Sequence, residues 1–128
     1  YNNGKMYRDF TYINDIVEGI SGLINKPPNI KQFGKIKNDS LSPVAPFRIL
    51  NIGNTHKVYL LNFINALEKE LRVKALRNYM PMQKGDVKTT LSDTTLLKKL
   101  TGYSPRTNYK IGIKKFLEWY LNYYSKKS

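Results

Sequence analysis

The interpretation of this chain begins with one stretch near its start, Arg8-Asp9-Phe10-Thr11-Tyr12-Ile13-Asn14-Asp15. Its aromatic and β-branched residues favour a strand, and Asp15 is a good N-cap for the helical stretch that follows. We therefore expect Arg8 to lie at the mouth of a strand-to-helix junction. Because the planar guanidinium group matches the geometry of phosphate, this position suits an anion.

Length and composition predict one domain with a core. The chain has 128 residues, of which 41% are hydrophobic, so disorder throughout is not expected. Cysteine is absent, which excludes disulfides, thiolate metal sites and a cysteine nucleophile and is consistent with a cytoplasmic protein. No apolar run approaches the roughly 20 residues that span a bilayer, so we expect no membrane partner.

The chain is strongly basic, with 22 Lys and Arg against 9 Asp and Glu and a net charge of +13. A basic domain with ten tyrosines could bind nucleic acid, and a basic, tyrosine-rich nucleic-acid-binding module is the alternative interpretation of this sequence. The lysines are dispersed, however, and no block of five like charges occurs. This distribution favours a solvated basic surface over a nucleic-acid face.

The spacing of apolar residues predicts four helices, at 15–25, 59–71, 94–100 and from 108 or 109 to 124. Asp93 is expected to cap the third helix, which stops at Gly102. The last helix is expected to turn five residues inward, namely Ile113, Phe116, Leu117, Tyr120 and Tyr124.

Short strands are predicted at 47–52 and 73–80, and their best parts, 49–52 and 76–80, could pair in parallel with the second helix as the crossover. From 27 to 46 the chain is polar and broken by prolines, which predicts a long exposed loop, mobile at its centre. The expected fold class is therefore α/β, with four helices and a few short strands. A few short strands need neighbouring strands or helices to be stable, so we expect one face or edge of this α/β layer to be uncovered.

Four polar residues could form a ligand site: Arg8, Asn51, Gln83 and Asp86. Ligands in open α/β layers bind beyond the carboxyl ends of strands, where Asn51 and the loop 83–86 are expected. An arginine for phosphates, amides for carbonyls and hydroxyls, and a carboxylate for a diol suit a nucleotide sugar. The alternative, in which Asp86 caps a turn and Asn51 satisfies backbone groups, remains open.

Motifs for catalysis are missing from the sequence. It contains no metal-ligand cluster, no G-x-G-x-x-G and no P-loop, and the lone His56 is interpreted as a surface or turn residue. Tyr1 with Lys5, and Tyr123 with Lys127, have the Tyr-x-x-x-Lys spacing of short-chain dehydrogenases. The first pair falls in a turn sequence and the second at the terminus, so neither is interpreted as a catalytic pair.

Taken together, the motifs resemble the substrate-binding portion of NAD-dependent sugar-nucleotide epimerases, which are extended short-chain dehydrogenases. The resemblance covers nearly all 128 residues in the family's order and is closest to the UDP-glucuronate 4-epimerase branch. It is carried by R-D-F-T-Y-I with D-I-V-E-G-I (8–20), N-I-G-N (51–54), P-M-Q-K-G-D-V (81–87) with Asp93, and G-Y-S-P (102–105) with the last helix.

The resemblance implies roles for the four site residues. Arg8 would contact the diphosphate, and Asp86 would bind a ribose hydroxyl of the uridine. Gln83 stands where related UDP-galactose epimerases carry an arginine, and Asn51 would help near the phosphates. Lys84 departs from the proline common in the loop, which puts the rigidity of the loop in question.

The resemblance also implies what the chain lacks, namely the glycine-rich NAD turn and the Ser or Thr, Tyr and Lys that move proton and hydride. We expect residues 1–128 to be the nucleotide-sugar-binding C-terminal region of such an enzyme, incomplete without its N-terminal, NAD-binding Rossmann domain, which is missing or separately encoded. NAD would be the cofactor of the intact enzyme, with none bound by this chain alone, and a UDP-sugar would be the substrate. The chain alone should be inactive, with no catalytic residue and with apolar surface left open near Phe10, Tyr12 and 49–52.

Overall fold

The computed structural model describes residues 1–125 and contains four α-helices. These are α1 (Ile13–Ile24), α2 (Leu60–Leu71), α3 (Thr95–Thr101) and α4 (Tyr109–Ser125). Two 3-10 turns, Asn2–Gly4 and Ile30–Gln32, complete the helical structure of the described residues. All four helices were predicted from apolar spacing, and their bounds agree with the predictions within two residues.

Strands occupy less of the chain than predicted. Within residues 1–125, β1 (Tyr7–Asp9) and β2 (Lys57–Tyr59) form a two-stranded antiparallel sheet in which Arg8 lies opposite Val58. The prediction of strands at 47–52 and 73–80 was wrong, since neither segment joins a ladder, and the two belong to different compact units. A strand forms only where a neighbouring strand supplies partners for its backbone hydrogen bonds.

The chain divides into two compact units. The first, called the sheet unit, comprises residues 1–10, 56–91 and the chain from 107 onward, and contains β1, β2, α2 and α4. The second, called the loop unit, comprises residues 11–55 and 92–106, and contains α1, α3 and the proline-rich segment.

In the sheet unit, α2 and α4 pack on each other, and the buried apolar side chains are Met6, Ile113 and Leu117. Phe10 is half-buried and stacks on Phe63, with ring centroids 3.8 Å apart. Three aromatic residues expected to point inward are instead exposed on α4, which corrects the predicted inward face. They are Phe116, Tyr120 and Tyr124, and they continue through ring contacts to Trp119 and Tyr123.

In the loop unit, α1 and α3 approach closely around the fully buried Leu97. A Cβ atom at Gly19 would lie 3.2 Å from Ile52, and one at Gly22 would lie 3.2 Å from Thr101. Gly22 therefore permits the close approach of α1 and α3, and Gly19 permits that of α1 and the segment around Ile52.

Asp15 does not cap α1, which corrects the sequence prediction. The helix begins at Ile13, and Tyr12 occupies the N-cap position. Asp15 is buried in the first turn, where its carboxylate accepts hydrogen bonds from the Tyr103 hydroxyl at 3.0 Å and the Arg106 N–H at 3.2 Å. The carboxylate of Asp15 thus links α1 to the connector after α3. Burial of the Tyr103 hydroxyl, together with its hydrogen bond to Asp15, raises the pKa of Tyr103.

The proline-rich segment 27–46 is mostly exposed, but its centre makes contacts that the sequence did not reveal. Leu41 is buried, and both carboxylate oxygens of Asp39 accept hydrogen bonds from Arg48, at 2.8 and 2.9 Å. The Ser40 hydroxyl bonds to Ile49. Among the described residues, no helix is long and apolar enough to cross a membrane.

Candidate functional site

Arg8 lies at the centre of β1 and is held by several contacts. Its Nη1 donates to the carbonyl oxygens of Tyr7 and Val87, both at 2.9 Å, and its Nη2 donates to Asp86 Oδ1 at 2.9 Å. Nη2 also lies 3.6 Å from the sulfur of Met6. The guanidinium is therefore fixed before any ligand arrives, which lowers the entropy cost of using it for recognition.

Asp86 is the second member of this pair, and it follows a tight turn. Its N–H donates to the Gln83 carbonyl at 3.3 Å, and Gly85 has a φ of 84°, as the third position of a type II turn requires. Its Oδ1 accepts both the Arg8 contact and the Val87 N–H, the latter at 2.7 Å. The side chains of Arg8 and Asp86 keep 24% and 29% of their surface exposed, so a solute can reach both.

Gln83 opens the same turn with an exposed side chain. The structure thus brings three of the four predicted site residues, Arg8, Gln83 and Asp86, into one unit and links them through the turn. An ion pair beside an exposed amide can bind a phosphate through the cation and a hydroxyl through the carboxylate.

Asn51 lies in the other unit, in a segment without regular secondary structure. Its side-chain amide donates to the Asp93 carbonyl at 3.4 Å, next to the start of α3. Thr94, rather than the predicted Asp93, occupies the N-cap position of α3. Asp93 lies one residue earlier, where its Oδ1 accepts the Thr95 N–H at 2.9 Å, and the contact with Thr95 lowers the pKa of Asp93. The geometry of Asn51 is that of a residue satisfying a backbone group.

An apolar cavity of about 470 Å³ lies in the sheet unit between α2 and the chain that follows it. Its walls include Leu60, Ile64 and Leu67 of α2 and Val73 and Tyr79 of the following segment. Neither Arg8 nor Asp86 lines it. The cavity is therefore separate from the polar cluster that the sequence indicated.

Sequence reasoning missed Glu68, which is buried at the edge of this cavity. Its carboxylate accepts hydrogen bonds from Arg77 at 2.7 Å, from Lys74 at 3.1 Å and from the Ala75 N–H at 3.1 Å. The contact with Arg77 contributes most to lowering its pKa from 4.5 to about 2. The sequence offered one signal of this site, because Glu68 lies on the apolar side of α2 and the segment that follows contains Lys74 and Arg77.

The junction between β2 and α2 can be compared with the glycine-rich turn of a dinucleotide site. In the described chain β2 runs directly into α2, with Tyr59 in the N-cap position and no glycine turn between them to cradle a pyrophosphate. No group of three or more His, Cys, Asp or Glu able to hold a metal occurs in residues 1–125. Tyr123 of the second Tyr-x-x-x-Lys match lies in α4, whereas Lys127 lies outside the described residues.

Comparison with known proteins places these motifs in a family. The protein CapI of Staphylococcus aureus is 44% identical over 98% of this chain and 38% of its own length. A probable UDP-glucuronate 4-epimerase of Rhizobium meliloti is 41% identical over 94% of this chain and 36% of its own length. The chain belongs to the sugar-nucleotide epimerase family. It spans little more than a third of the length of these curated relatives.

The fold agrees with this assignment. The UDP-glucuronic acid 4-epimerase of Bacillus cereus, solved in complex with UDP-glucuronic acid and NAD, superposes with a TM-score of 0.67 over 94% of this chain and 34% of its own, at 24% identity. An identity this low supports the fold alone. The predicted fold class, part of an extended short-chain dehydrogenase with four helices and a few strands, is therefore confirmed. A comparison with protein-family models found no match to the chain.

Proposed function

We propose that this chain is the C-terminal, substrate-binding segment of an NAD-dependent UDP-glucuronate 4-epimerase and is inactive alone. The observation that supports this most strongly is the 41% identity to the probable UDP-glucuronate 4-epimerase of Rhizobium meliloti over 94% of the chain, combined with coverage of only 36% of that relative. NAD is assigned to the complete enzyme, because related epimerases bind it and this chain has no glycine turn for it. The oxidation and re-reduction of the sugar C4 would be supplied there.

Within this chain, the proposed ligand contacts centre on the Arg8–Asp86 pair. Arg8 binds the diphosphate of the UDP-sugar through the guanidinium hydrogens that its contacts with Tyr7, Val87 and Asp86 leave over. Asp86 binds a ribose hydroxyl, and its contact with Arg8 fixes the distance between the two subsites. Gln83 lies at the rim of the same turn.

Asn51 is a weaker member of the proposed site. We keep it as a contact near the phosphates only for the complete enzyme, since here its amide contacts the Asp93 carbonyl. The alternative structural role accounts for its geometry without a ligand.

The first test of the proposal is activity. The chain incubated with NAD and UDP-glucuronate should give no UDP-galacturonate by NMR analysis of the sugar. Catalytic appearance of the epimer would show that a complete site is present and would contradict the proposal.

The second test is binding of UDP, followed by NMR titration. We expect weak binding, because much of a complete pocket would be missing and the remainder is less preorganised. Arg8→Ala should weaken UDP binding by roughly tenfold or more, the loss of one charge-assisted contact. Lys69→Ala, which removes an exposed charge from α2 of the same unit, should leave it unchanged.

Comparison of UDP with UMP separates recognition from structure. If Arg8 contacts the diphosphate, Arg8→Ala weakens UDP more than UMP. Equal losses for both would assign Arg8 a structural role only. Tight binding of single-stranded RNA or DNA with a steep salt dependence, and none of UDP, would instead favour the nucleic-acid-binding alternative.

A further inference from the structure

The first part of the proline-rich segment concentrates lysine. Lys26, Lys31, Lys35 and Lys37 fall within residues 26–37, a stretch that contains no Asp or Glu. All four side chains are exposed. We call residues 26–37 the lysine segment.

The lysine segment is folded through its own backbone contacts. Lys31 lies in the 3-10 turn Ile30–Gln32. The Phe33 N–H donates to the Ile30 carbonyl at 2.9 Å, and the Lys35 N–H donates to the Gln32 carbonyl at 3.1 Å. These successive turns present the lysines on an ordered surface, which lowers the entropy cost of binding a partner there.

The third helix adds charge of the same sign. Lys99 Nζ donates to the Lys37 carbonyl at 3.3 Å, and the neighbouring Lys98 is also exposed. Asp39, the first acidic residue after the lysine segment, is paired with Arg48, and both side chains are only 3% exposed. The charge of Asp39 is therefore already neutralised and does not offset the lysines.

Two exposed apolar side chains lie between the lysines. Ile30 and Phe33 are 42% and 54% exposed and stand on either side of Lys31 in the chain. Lysines interleaved with exposed apolar side chains are typical of segments that lie on a membrane surface. The ammonium groups there attract anionic lipids, and the apolar side chains enter the boundary between headgroups and acyl chains.

The composition of the lysine segment favours a lipid surface over nucleic acid. Residues 26–37 contain no Arg, Tyr or Trp, whereas nucleic-acid recognition relies on arginine forks and on aromatic rings that stack on bases. The aliphatic side chain of Ile30 has no ring to stack. The sequence expectation of no membrane partner was based on the lack of a spanning run, and a surface contact needs no such run.

We propose that the lysine segment binds the surface of an anionic lipid bilayer. Its lysines contact the lipid phosphates, and Ile30 and Phe33 enter the acyl boundary. Each lysine near such a surface is expected to strengthen binding roughly fivefold. The proposal is independent of the proposed substrate, because Arg8 and Asp86 belong to the sheet unit and the lysine segment belongs to the loop unit.

The first experiment measures co-sedimentation of the whole chain with lipid vesicles. Vesicles of phosphatidylglycerol and phosphatidylcholine in equal parts should bind the chain, and vesicles of phosphatidylcholine alone should not. Salt should weaken the binding, because ions screen exposed charges. Lys31→Gln with Lys35→Gln should weaken it roughly twentyfold.

The matched control for these lysines is Lys69→Gln with Lys114→Gln. It removes the same charge from exposed positions of α2 and α4 in the sheet unit. It should leave vesicle binding nearly unchanged. Equal losses with both pairs would mean that the net charge of +13 alone attracts the vesicles, and would overturn the proposal.

Phe33 gives a second test that does not depend on charge. Phe33→Gln should weaken vesicle binding by the same factor at low and high salt, because ions do not screen an apolar contact. The control Phe47→Gln changes a side chain that is 56% exposed in the same unit but outside the lysine segment, and it should have no effect.

A third measurement needs no substitution. Lipids that carry a nitroxide on the headgroup should broaden the NMR amide signals of residues 30–35 more than those of α2. No binding to anionic vesicles, equal binding to neutral ones, or no selective broadening of residues 30–35 would overturn the proposal. Single-stranded RNA that binds more tightly than anionic vesicles, and is lost with Lys31→Gln and Lys35→Gln, would also overturn it and assign the segment to nucleic acid.

Discussion

At the scale of the residue, Glu68 shows how one carboxylate can hold a segment that lacks regular structure. It lies near the end of α2 and accepts hydrogen bonds from Lys74, Ala75 and Arg77 of the following chain. The sequence predicts a strand there, but these side-chain contacts replace strand pairing. Satisfying a buried carboxylate with two cations and one N–H is what makes its burial tolerable.

Glu68 should make stability depend on acidity. Its pKa in the folded chain is about 2, below the ordinary 4.5, so its contribution is fully present above pH 4.5 and is lost as pH falls from 4.5 towards 2. Glu68→Gln should lower the melting temperature at neutral pH and flatten its dependence across that window. Circular dichroism melts measure this, with Glu70→Gln as a control on the same helix. A pH dependence identical to that of the wild type would contradict the assignment.

The Asp39–Arg48 pair is the second residue-scale feature, because both side chains are only 3% exposed. Arg48→Met should destabilise the chain by roughly 3–5 kcal/mol, since it leaves the Asp39 carboxylate buried without its cation. Asp39→Asn combined with Arg48→Met should recover part of the loss, because no uncompensated charge then remains. Denaturant unfolding gives both values. A double variant no more stable than Arg48→Met alone would mean that packing, rather than charge, is lost.

At the scale of the element, the helices were predictable and the strands were not. Apolar spacing was enough to predict α2 and α4, because a helix forms its backbone hydrogen bonds within its own segment and needs no distant partner. The αL residue Gly102 ends α3 as predicted, with a φ of 75°. The segments at 47–52 and 73–80 have strand-like composition, but a strand exists only through a neighbour, which local sequence does not specify.

The turn from Gln83 to Asp86 offers a test at this scale. Lys84 occupies the second position, where proline is favoured in turns with a positive φ at the third. Lys84→Pro should therefore stabilise the chain by about 0.4–1 kcal/mol by restricting the unfolded state. Gly85→Ala should destabilise it by roughly 1–2 kcal/mol through its left-handed φ, since open space surrounds the new Cβ. Urea unfolding of both variants checks this, and destabilisation by Lys84→Pro would exclude the assigned turn geometry.

At the scale of the whole molecule, the outstanding feature is the amount of apolar side chain left open. One face of α1 is exposed, as are the aromatic residues of α4 and the side chains of Phe47 and Ile49. The exposed residues of α1 are Ile13, Val17, Ile20 and Ile24. The sequence predicted open surface near 49–52, and this is confirmed at Ile49. It also predicted open surface near Phe10 and Tyr12. Both of these side chains are half-buried and Phe10 stacks on Phe63, whereas Ile13, the residue after Tyr12, is 61% exposed.

The native chain should accordingly bind an apolar fluorescent dye strongly, since patches beyond a few hundred Å² usually mark a missing partner. Val17→Glu with Ile20→Lys should reduce the fluorescence, and Asn14→Glu with Ser21→Lys should not. The measurement is a dye titration of the folded chain well below its melting temperature. A native chain that binds no dye would show that these faces are covered in solution.

The sequence by itself determined the helices, the end of α3 at Gly102 and the family, because these depend on local spacing and on motifs in order. Only the tertiary structure decided that Arg8 and Asp86 pair at 2.9 Å, that Asn51 contacts the Asp93 carbonyl, and that Asp15 is buried rather than a cap. These contacts join residues 42 to 91 positions apart. Packing and the need to satisfy buried polar groups determine which of these distant residues meet, and local sequence shows neither of them.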